Sequence, residues 1–228
     1  MINGGFRESS LAETEPEPSP ETLPVAPRRQ LSRGRLLLMA GAFVAELGIF
    51  IAGLLVPIDA GTKGVIVNQT STQFAPLQSA PPTQVVLLIF SHNAVIAMIE
   101  IVPVVGAFAF VSSIFATGVL AQALLASNGI PGFFGAFLLL FPYTLVELSA
   151  YAVALGSGLM LIIAWRKRML RSEASVLLQE VVAVLALLLL AATMEEITSV
   201  SPGLGIALWA PTGIAVSFLV VVAKRSAK

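Results

Sequence analysis

Residues 133–165 read FFGAFLLLFPYTLVELSAYAVALGSGLMLIIAW, and Glu147 is the one charged side chain among them. A helix of about 20 apolar residues crosses the hydrocarbon core of a bilayer, and this stretch is long enough to do so. A carboxyl group at that depth is costly, so it faces a partner, a cavity or a permeant species. The stretch therefore predicts a membrane helix bundle with a polar site around Glu147.

The whole chain has the composition of an integral membrane protein. Of its 228 residues, 57% are hydrophobic and 11% are charged, whereas soluble domains carry about 25% charged residues. The predicted fold class is all-α, a polytopic membrane helix bundle, and the predicted location is the cell membrane. The chain has no cysteine and one histidine, His92. This excludes disulfides, thiol catalysis and multi-histidine metal sites, and we expect no cofactor and no metal.

Charge and proline content divide the chain into three predicted parts. Residues 1–35 are acidic and proline-rich and end in a basic patch that includes Arg35, which predicts a disordered cytoplasmic tail. Residues 36–223 hold the apolar runs and form the predicted transmembrane domain, interrupted by a polar loop at 58–84. Residues 224–228 form a short basic cytoplasmic tail.

Six membrane-spanning helices with both termini in the cytoplasm satisfy the charge distribution. Basic residues collect on the cytoplasmic side. The N-terminal patch, the cluster at 166–171 and the C-terminal tail share one side if three crossings lie between residues 85 and 165. An alternative keeps five spans and makes 85–102 an interfacial or re-entrant helix. The six predicted spans cover about residues 36–56, two segments within 85–126 separated near Pro103 or Gly106, 143–165, 176–194 and 204–223.

Pro142 interrupts the apolar stretch ahead of Glu147. Residues 133–141 are too few to span a bilayer, and a proline removes a helical hydrogen bond. Two structures fit this pattern. One is a proline kink within a helix, and the other is a re-entrant half-helix followed by a full span, as in the binding sites of some transporters.

Polar residues at helical spacing predict an intramembrane site. Asn93 and Glu100 are seven residues apart and share a helix face, and Tyr143, Glu147 and Tyr151 recur at intervals of four. The alternative is that each carboxyl group is hydrogen-bonded inside the bundle and braces it. The predicted polar site consists of Glu147, Tyr143, Pro142, Glu100 and Asn93.

Four further acids lie in or near predicted spans. Glu46 is in the middle of the first span, and the cost of a buried charge predicts that it faces the bundle. Glu180 lies near the cytoplasmic end of the fifth span, where we expect it to reach water. Glu195 and Glu196 lie at the other end of that span and are predicted to be solvated.

No arrangement of residues indicates an enzyme. Ser91 and His92 are adjacent, and neighbours on a helix point in different directions. The predicted spans contain no lysine for a serine–lysine pair. Asn128, Gly129 and Gly132 form a predicted turn, and because they follow no strand they imply no nucleotide site.

Several short motifs occur in a recognisable order over roughly residues 85–165. They are Phe90-Ser91-His92-Asn93, Gly106, Gly118, Asn128-Gly129 with Gly132, and Pro142 five residues before Glu147. This pattern resembles the stage II sporulation protein M family, which shows an Asn-Gly turn and a Pro-His-Gly-x-x-Glu motif. Tyr143 and Thr144 stand where that motif has histidine and glycine.

The resemblance implies a non-catalytic member of a membrane complex with peptidoglycan-degrading partners, built on a permease-like module. The first hypothesis is therefore a scaffold or membrane component of a cell-envelope complex. The alternative is a small-solute or ion permease or channel whose pathway includes Glu147 and Glu100. A permease needs Glu147 to face water, whereas a scaffold needs it capped by neighbouring polar groups. Expected partners are the lipid bilayer, other membrane or envelope proteins, or a second copy in a homo-oligomer, and no nucleic acid.

Overall fold

A computed structural model describes residues 33–210 and 212–213, and every regular element in this part of the chain is helical. Two 3₁₀ helices, Ala75–Ser79 and Gly132–Leu140, lie between the α-helices. Of the predicted tail at 1–35, residues 1–32 lie outside the described residues and residues 33–35 are helical, as the start of α1; the predicted tail at 224–228 also lies outside the described residues. The α-helices are α1 Arg33–Leu54, α2 Ala60–Phe74, α3 Pro82–Glu100, α4 Val105–Ser127, α5 Pro142–Arg166, α6 Leu170–Val200 and α7 Pro202–Ala207.

Five of these helices (α1, α3, α4, α5 and α6) are long and apolar enough to cross a membrane. The chain is therefore a multi-pass membrane protein, as its composition predicts. The fifth predicted span is longer than expected, because α6 runs without interruption for 31 residues. The sixth predicted span, 204–223, begins with α7 and lies mainly outside the described residues.

The apolar stretch 85–126 divides into two helices at a short connection. α3 ends at Glu100 and α4 begins at Val105, which places the predicted break at residues 101–104. Val104 turns the chain with a φ of 68°. The 19 residues of α3 are enough for a span, so by length and composition this segment does not need the interfacial alternative.

Close backbone contacts at glycines hold the helices together. A Cβ atom at Gly118 on α4 would lie 2.4 Å from the carbonyl oxygen of Phe50, and one at Gly53 on α1 would lie 2.5 Å from that of Phe115. On α5, a Cβ atom at Gly158 would lie 2.7 Å from the Ile101 oxygen. Small residues let membrane helices approach one another closely. Within a bilayer there is no hydrophobic driving force between helices, so van der Waals packing of this kind stabilises the bundle.

Pro142 starts a helix rather than bending one. Phe141 is extended, with φ −86° and ψ 130°, and Pro142 is the first residue of α5. Proline suits that position because its missing N–H would have had no helical partner there. The proline-kink interpretation is therefore wrong. The preceding 3₁₀ helix packs at Gly135 against Leu54 and Leu125, at the ends of α1 and α4.

The predicted polar loop at 58–84 contains a helix. Asp59 caps the N-terminus of α2, where Oδ1 accepts a hydrogen bond from the backbone N–H of Thr62 at 3.0 Å and Oδ2 accepts one from its hydroxyl at 2.6 Å. These hydrogen bonds lower the pKa of the Asp59 carboxyl, and the bond from the Thr62 side chain has the largest effect. A charged cap at a helix N-terminus stabilises its unpaired N–H groups, which explains why a polar segment is helical here.

Candidate functional site

Hydrogen bonds from two helices hold Glu147. Asn93 Nδ2 on α3 donates to Glu147 Oε1 at 2.9 Å, and the Tyr151 hydroxyl, one turn further along α5, donates to the same oxygen at 3.2 Å. Asn93 and Tyr151 are buried, and Glu147 is half-buried. Hydrogen bonds to a charged acceptor are stronger than those between neutral groups, so this arrangement links α3 to α5 inside the bundle.

Glu46 lies in the middle of α1 with 0% of its surface exposed. Neither Oε1 nor Oε2 has a hydrogen-bond partner within the described part of the chain. A buried polar group left unpaired costs about 1–3 kcal/mol, and more when it is charged. Glu46 therefore makes no side-chain hydrogen bond that would brace the bundle within the described residues.

Glu100 is the last residue of α3 and is also fully buried, with 0% of its surface exposed. Its Oε1 accepts a hydrogen bond from Ser113 Oγ on α4 at 3.3 Å, whereas Oε2 has no partner among the described residues. The first turn of α4 packs directly onto the backbone of Glu100, because a Cβ atom at Gly106 would lie 1.9 Å from its carbonyl oxygen. This contact excludes a side chain at that position and fixes the end of α3 inside the bundle.

These three carboxyl groups come from three helices of one bundle and interact electrostatically. Glu46 interacts electrostatically with Glu100 and Glu147, and Tyr151 interacts electrostatically with all three. We call Glu46, Glu100 and Glu147 the acidic cluster. Each member belongs to a helix that is long and apolar enough to span a membrane, so the cluster lies in the membrane-spanning part of the protein.

The acidic cluster has no basic counterpart among the described residues. The ion pairs found there join Arg35 to Glu173 and to Glu180, and neither involves the cluster. Across residues 33–210, no group of three or more His, Cys, Asp or Glu side chains is arranged to hold a metal ion. Neighbouring carboxylates repel one another strongly in a region of low dielectric. A carboxyl group that takes up a proton avoids this repulsion.

A cavity of about 420 Å³ lies at the end of α6 that carries Glu195 and Glu196. Phe74 from α2 and Val85 from α3 also line it. Both acids are half-buried, so the prediction that they are simply solvated holds in part. Glu195 also interacts electrostatically with Glu147.

A second polar network lies near the other end of the bundle and corrects two predictions. The sequence predicts that Arg35 belongs to the solvated tail patch and that Glu180 reaches water. Instead, Arg35 lies buried in α1 and forms ion pairs with Glu173 and Glu180. Ser157 Oγ on α5 donates to Glu180 Oε2 at 2.8 Å. Taking these charges out of water is costly unless they are paired, and here they are paired with each other.

Four of the five residues of the predicted polar site interact with one another or with Tyr151. Asn93 and Glu147 are hydrogen-bonded, and Glu100 shares the neighbourhood of Tyr151 with them. The Tyr143 ring stacks on Phe141, with 5.7 Å between ring centroids, and its hydroxyl interacts electrostatically with Glu147. Pro142 is buried and starts α5, so its role is in the backbone.

The predicted turn residues shape the connection between α4 and α5. Asn128 follows the last residue of α4 and donates from Nδ2 to the Leu124 oxygen at 2.8 Å. Gly129 has a φ of 72°, which favours glycine. Gly132 begins the 3₁₀ helix beside Gln122. None of the three contributes a side chain to the acidic cluster.

Sequence reasoning missed two members of this neighbourhood. Glu46 is predicted to face the bundle, but its sequence context does not say which helices it meets. Ser113 is absent from the prediction, although a hydroxyl in an apolar helix is a signal that it has a polar partner. Both omissions have one cause, because spacing within a helix says nothing about contacts between helices that are distant in sequence.

Comparison with known proteins gives no relative for this chain. No family model, no curated protein and no solved structure matches it.

Proposed function

We propose that this chain is a non-enzymatic permease whose acidic cluster takes up and releases protons as part of transport. The observation that carries the proposal is Glu46, which is fully buried, has no hydrogen-bond partner for either oxygen among the described residues, and interacts electrostatically with a second buried acid, Glu100. Ionisable groups at membrane depth mark ion pathways and proton relays. A solute or ion moving through the bundle would be driven by the same proton movement.

Protons account for the cluster better than a bound metal ion does. Within the acidic cluster, three buried oxygens have no hydrogen-bond partner among the described residues, two on Glu46 and one on Glu100. A protonated carboxyl group is neutral, so taking up a proton removes the cost of burying a charge at each of these acids. The described residues offer no cluster with the geometry of a metal site.

The cavity at Glu195 and Glu196 is the proposed entrance. These two carboxyl groups are half-buried beside a cavity of about 420 Å³, and Glu195 interacts electrostatically with Glu147. From Glu147, the Tyr151 hydroxyl leads towards Glu46 and Glu100, with which it interacts electrostatically. A hydroxyl both donates and accepts, so it suits transfer of a proton between carboxyl groups.

A scaffold or membrane component of an envelope complex is the second candidate. Capping of Glu147 by Asn93 and Tyr151 supports it, since a bracing carboxylate needs such partners. The resemblance of residues 85–165 to the stage II sporulation protein M family supports the same role. This candidate explains Glu147 but leaves Glu46 unexplained, because an unpartnered buried acid weakens a scaffold.

Proton flux into liposomes tests the proposal. The purified chain is reconstituted in vesicles that contain a pH-sensitive dye, and an inward proton gradient or a potassium diffusion potential drives the flux. We expect the wild-type protein to acidify the interior and Glu46→Gln to abolish this flux, because an amide cannot carry the proton. Candidate small solutes are then added to find one that changes the rate.

Asp59→Asn is the matched control. It removes one carboxyl group outside the membrane-spanning helices and keeps the cap on α2, because asparagine caps helices as well as aspartate does. Flux that is equal in wild type, Glu46→Gln and protein-free vesicles would contradict the permease proposal.

Glu147→Gln separates the two candidates, since an amide oxygen still accepts from Asn93 and Tyr151. A scaffold tolerates this change, whereas a proton pathway through Glu147 does not.

A further inference from the structure

A basic cavity lies where α5 turns into α6. Trp165, Arg166, Arg168, Leu170 and Arg171 line a volume of about 470 Å³. Arg166, Arg168 and Arg171 are separated by two and three positions, so they would not share one face of a continuous helix. They converge because the chain reverses between the helices, where Arg168 adopts a φ of 56° and the Met169 N–H bonds back to the Ala164 oxygen at 2.8 Å.

The three guanidinium groups are available to a ligand. All three side chains are exposed, and none forms an ion pair within the described residues. The nearest acid along α6, Glu173, is buried and paired with Arg35. The cavity therefore carries three positive charges that no described carboxylate neutralises. The N-terminus of α6 adds the positive end of its helix dipole.

The position of Trp165 sets the depth of the cavity in the bilayer. Trp165 is 69% exposed in the last turn of α5, a candidate span. Tryptophan prefers the level of lipid headgroups, where its ring is partly wet. The exposed side chain of Leu170 at the start of α6 offers an apolar surface beside the arginines. The tendency of basic residues to mark the cytoplasmic side explains the charge, but it does not explain why these side chains converge around a cavity.

We propose that this cavity binds the phosphate of an anionic phospholipid headgroup. Arginine forms paired hydrogen bonds with phosphate oxygens through its planar group. The headgroup would lie among Arg166, Arg168 and Arg171, and the acyl chains would extend along the apolar surfaces of α5 and α6. Basic pockets between membrane helices on the cytoplasmic side bind anionic lipids by this chemistry.

Native mass spectrometry of the full chain tests this proposal. The detergent-purified protein is titrated with phosphatidylglycerol, with phosphatidylcholine and with inorganic phosphate in separate experiments. We expect retention of phosphatidylglycerol over phosphatidylcholine, and a loss of affinity of roughly tenfold or more in the double variant Arg168→Gln, Arg171→Gln. Inorganic phosphate that binds as tightly as the lipid would overturn the lipid assignment and leave a soluble-anion site.

Lys167→Gln is the matched control, because Lys167 lies in the same connection and carries the same charge but does not line the cavity. If Lys167→Gln lost as much affinity for the lipid, general surface charge would explain the binding, and the proposal would be overturned. Arg171→Lys keeps the charge that fixes topology, so it remains testable if the double variant fails to fold. We expect it to weaken the preference for phosphatidylglycerol, and an unchanged preference would contradict an arginine–phosphate contact.

Discussion

Asn93 on α3 donates a hydrogen bond of 2.9 Å to Glu147 on α5, a residue 54 positions further along the chain. The contact ties together the two helices that supply Glu100 and Glu147 to the acidic cluster. Its donor is an amide and its acceptor a carboxyl oxygen, so neither helix presents a fully apolar face to the other. The pair is therefore part of what fixes the geometry of the cluster.

Replacing Asn93 tests the energetic value of that contact. In Asn93→Leu, Glu147 loses its donor from α3 and keeps Tyr151. We expect the free energy of unfolding to fall by about 1.5–3 kcal/mol, the range for a hydrogen bond to a charged group. Thermal unfolding in detergent measures the change. Ser91→Ala is the control on the same helix, because Ser91 is exposed and donates to the backbone of its own helix, and a loss of equal size there would contradict the assignment.

Replacing Glu46 separates a functional acid from a structural one. Glu46 is fully buried, and neither of its oxygens has a hydrogen-bond partner among the described residues, so Glu46→Leu removes an unpaired polar group from the bundle interior. We expect this variant to be more stable than the wild type by about 1–3 kcal/mol, and to lose proton flux. We expect Glu147→Leu to be less stable than the wild type, since it leaves the Asn93 amide and the Tyr151 hydroxyl without their acceptor. A clear loss of stability in Glu46→Leu would mean that Glu46 braces the bundle.

The close approach of α1 and α4 makes Gly118 intolerant of a side chain. A Cβ atom there would lie 2.4 Å from the Phe50 oxygen, a backbone atom that cannot move alone. We expect Gly118→Ala to lower the free energy of unfolding by about 1–3 kcal/mol through overpacking. Gly48 on α1 has open space around its Cβ position, and Gly48→Ala should be neutral or slightly stabilising. Equal behaviour of the two variants would contradict the packing of α1 against α4.

Cysteine labelling tests the predicted topology. The natural chain has no cysteine, so each introduced thiol is the only target for a membrane-impermeant reagent. Ser71 is exposed on α2 and Lys167 is exposed between α5 and α6. We expect Ser71→Cys and Lys167→Cys to react from opposite sides of the membrane. Labelling of both from one side would exclude the six-span arrangement with its basic end in the cytoplasm.

The helices are predictable from the sequence because their cause is local. Length and apolar composition alone define the runs that become α1, α3, α4, α5 and α6. Breaks at Pro103 and at Gly129 are also local, because each depends on the conformation of one or two residues. The cause of α2 is local as well. Its segment has the composition of a loop, but Asp59 and Thr62 form an N-cap that starts a helix there.

The site is less predictable because its contacts join helices that are distant in the chain. Arg35 resembles a tail residue until Glu173 and Glu180, more than a hundred positions away, are placed beside it. Glu46 must face the bundle on energetic grounds, but which acids it meets depends on how α1 packs against α3 and α5. Pro142 illustrates a different limit. A proline can bend a helix or begin one, and the extended conformation of Phe141 decides which.

The protonation of Glu46 is the most direct test of the proton-carrying cluster. Infrared difference spectroscopy of the lipid-reconstituted protein, recorded between two pH values, detects the carbonyl band of a carboxylic acid as its proton enters or leaves. We predict a band that is present in the wild type and in the Asp59→Asn control and is absent from Glu46→Gln. A spectrum of Glu46→Gln that superimposes on that of the wild type would show that Glu46 exchanges no proton, and would contradict the proposed function.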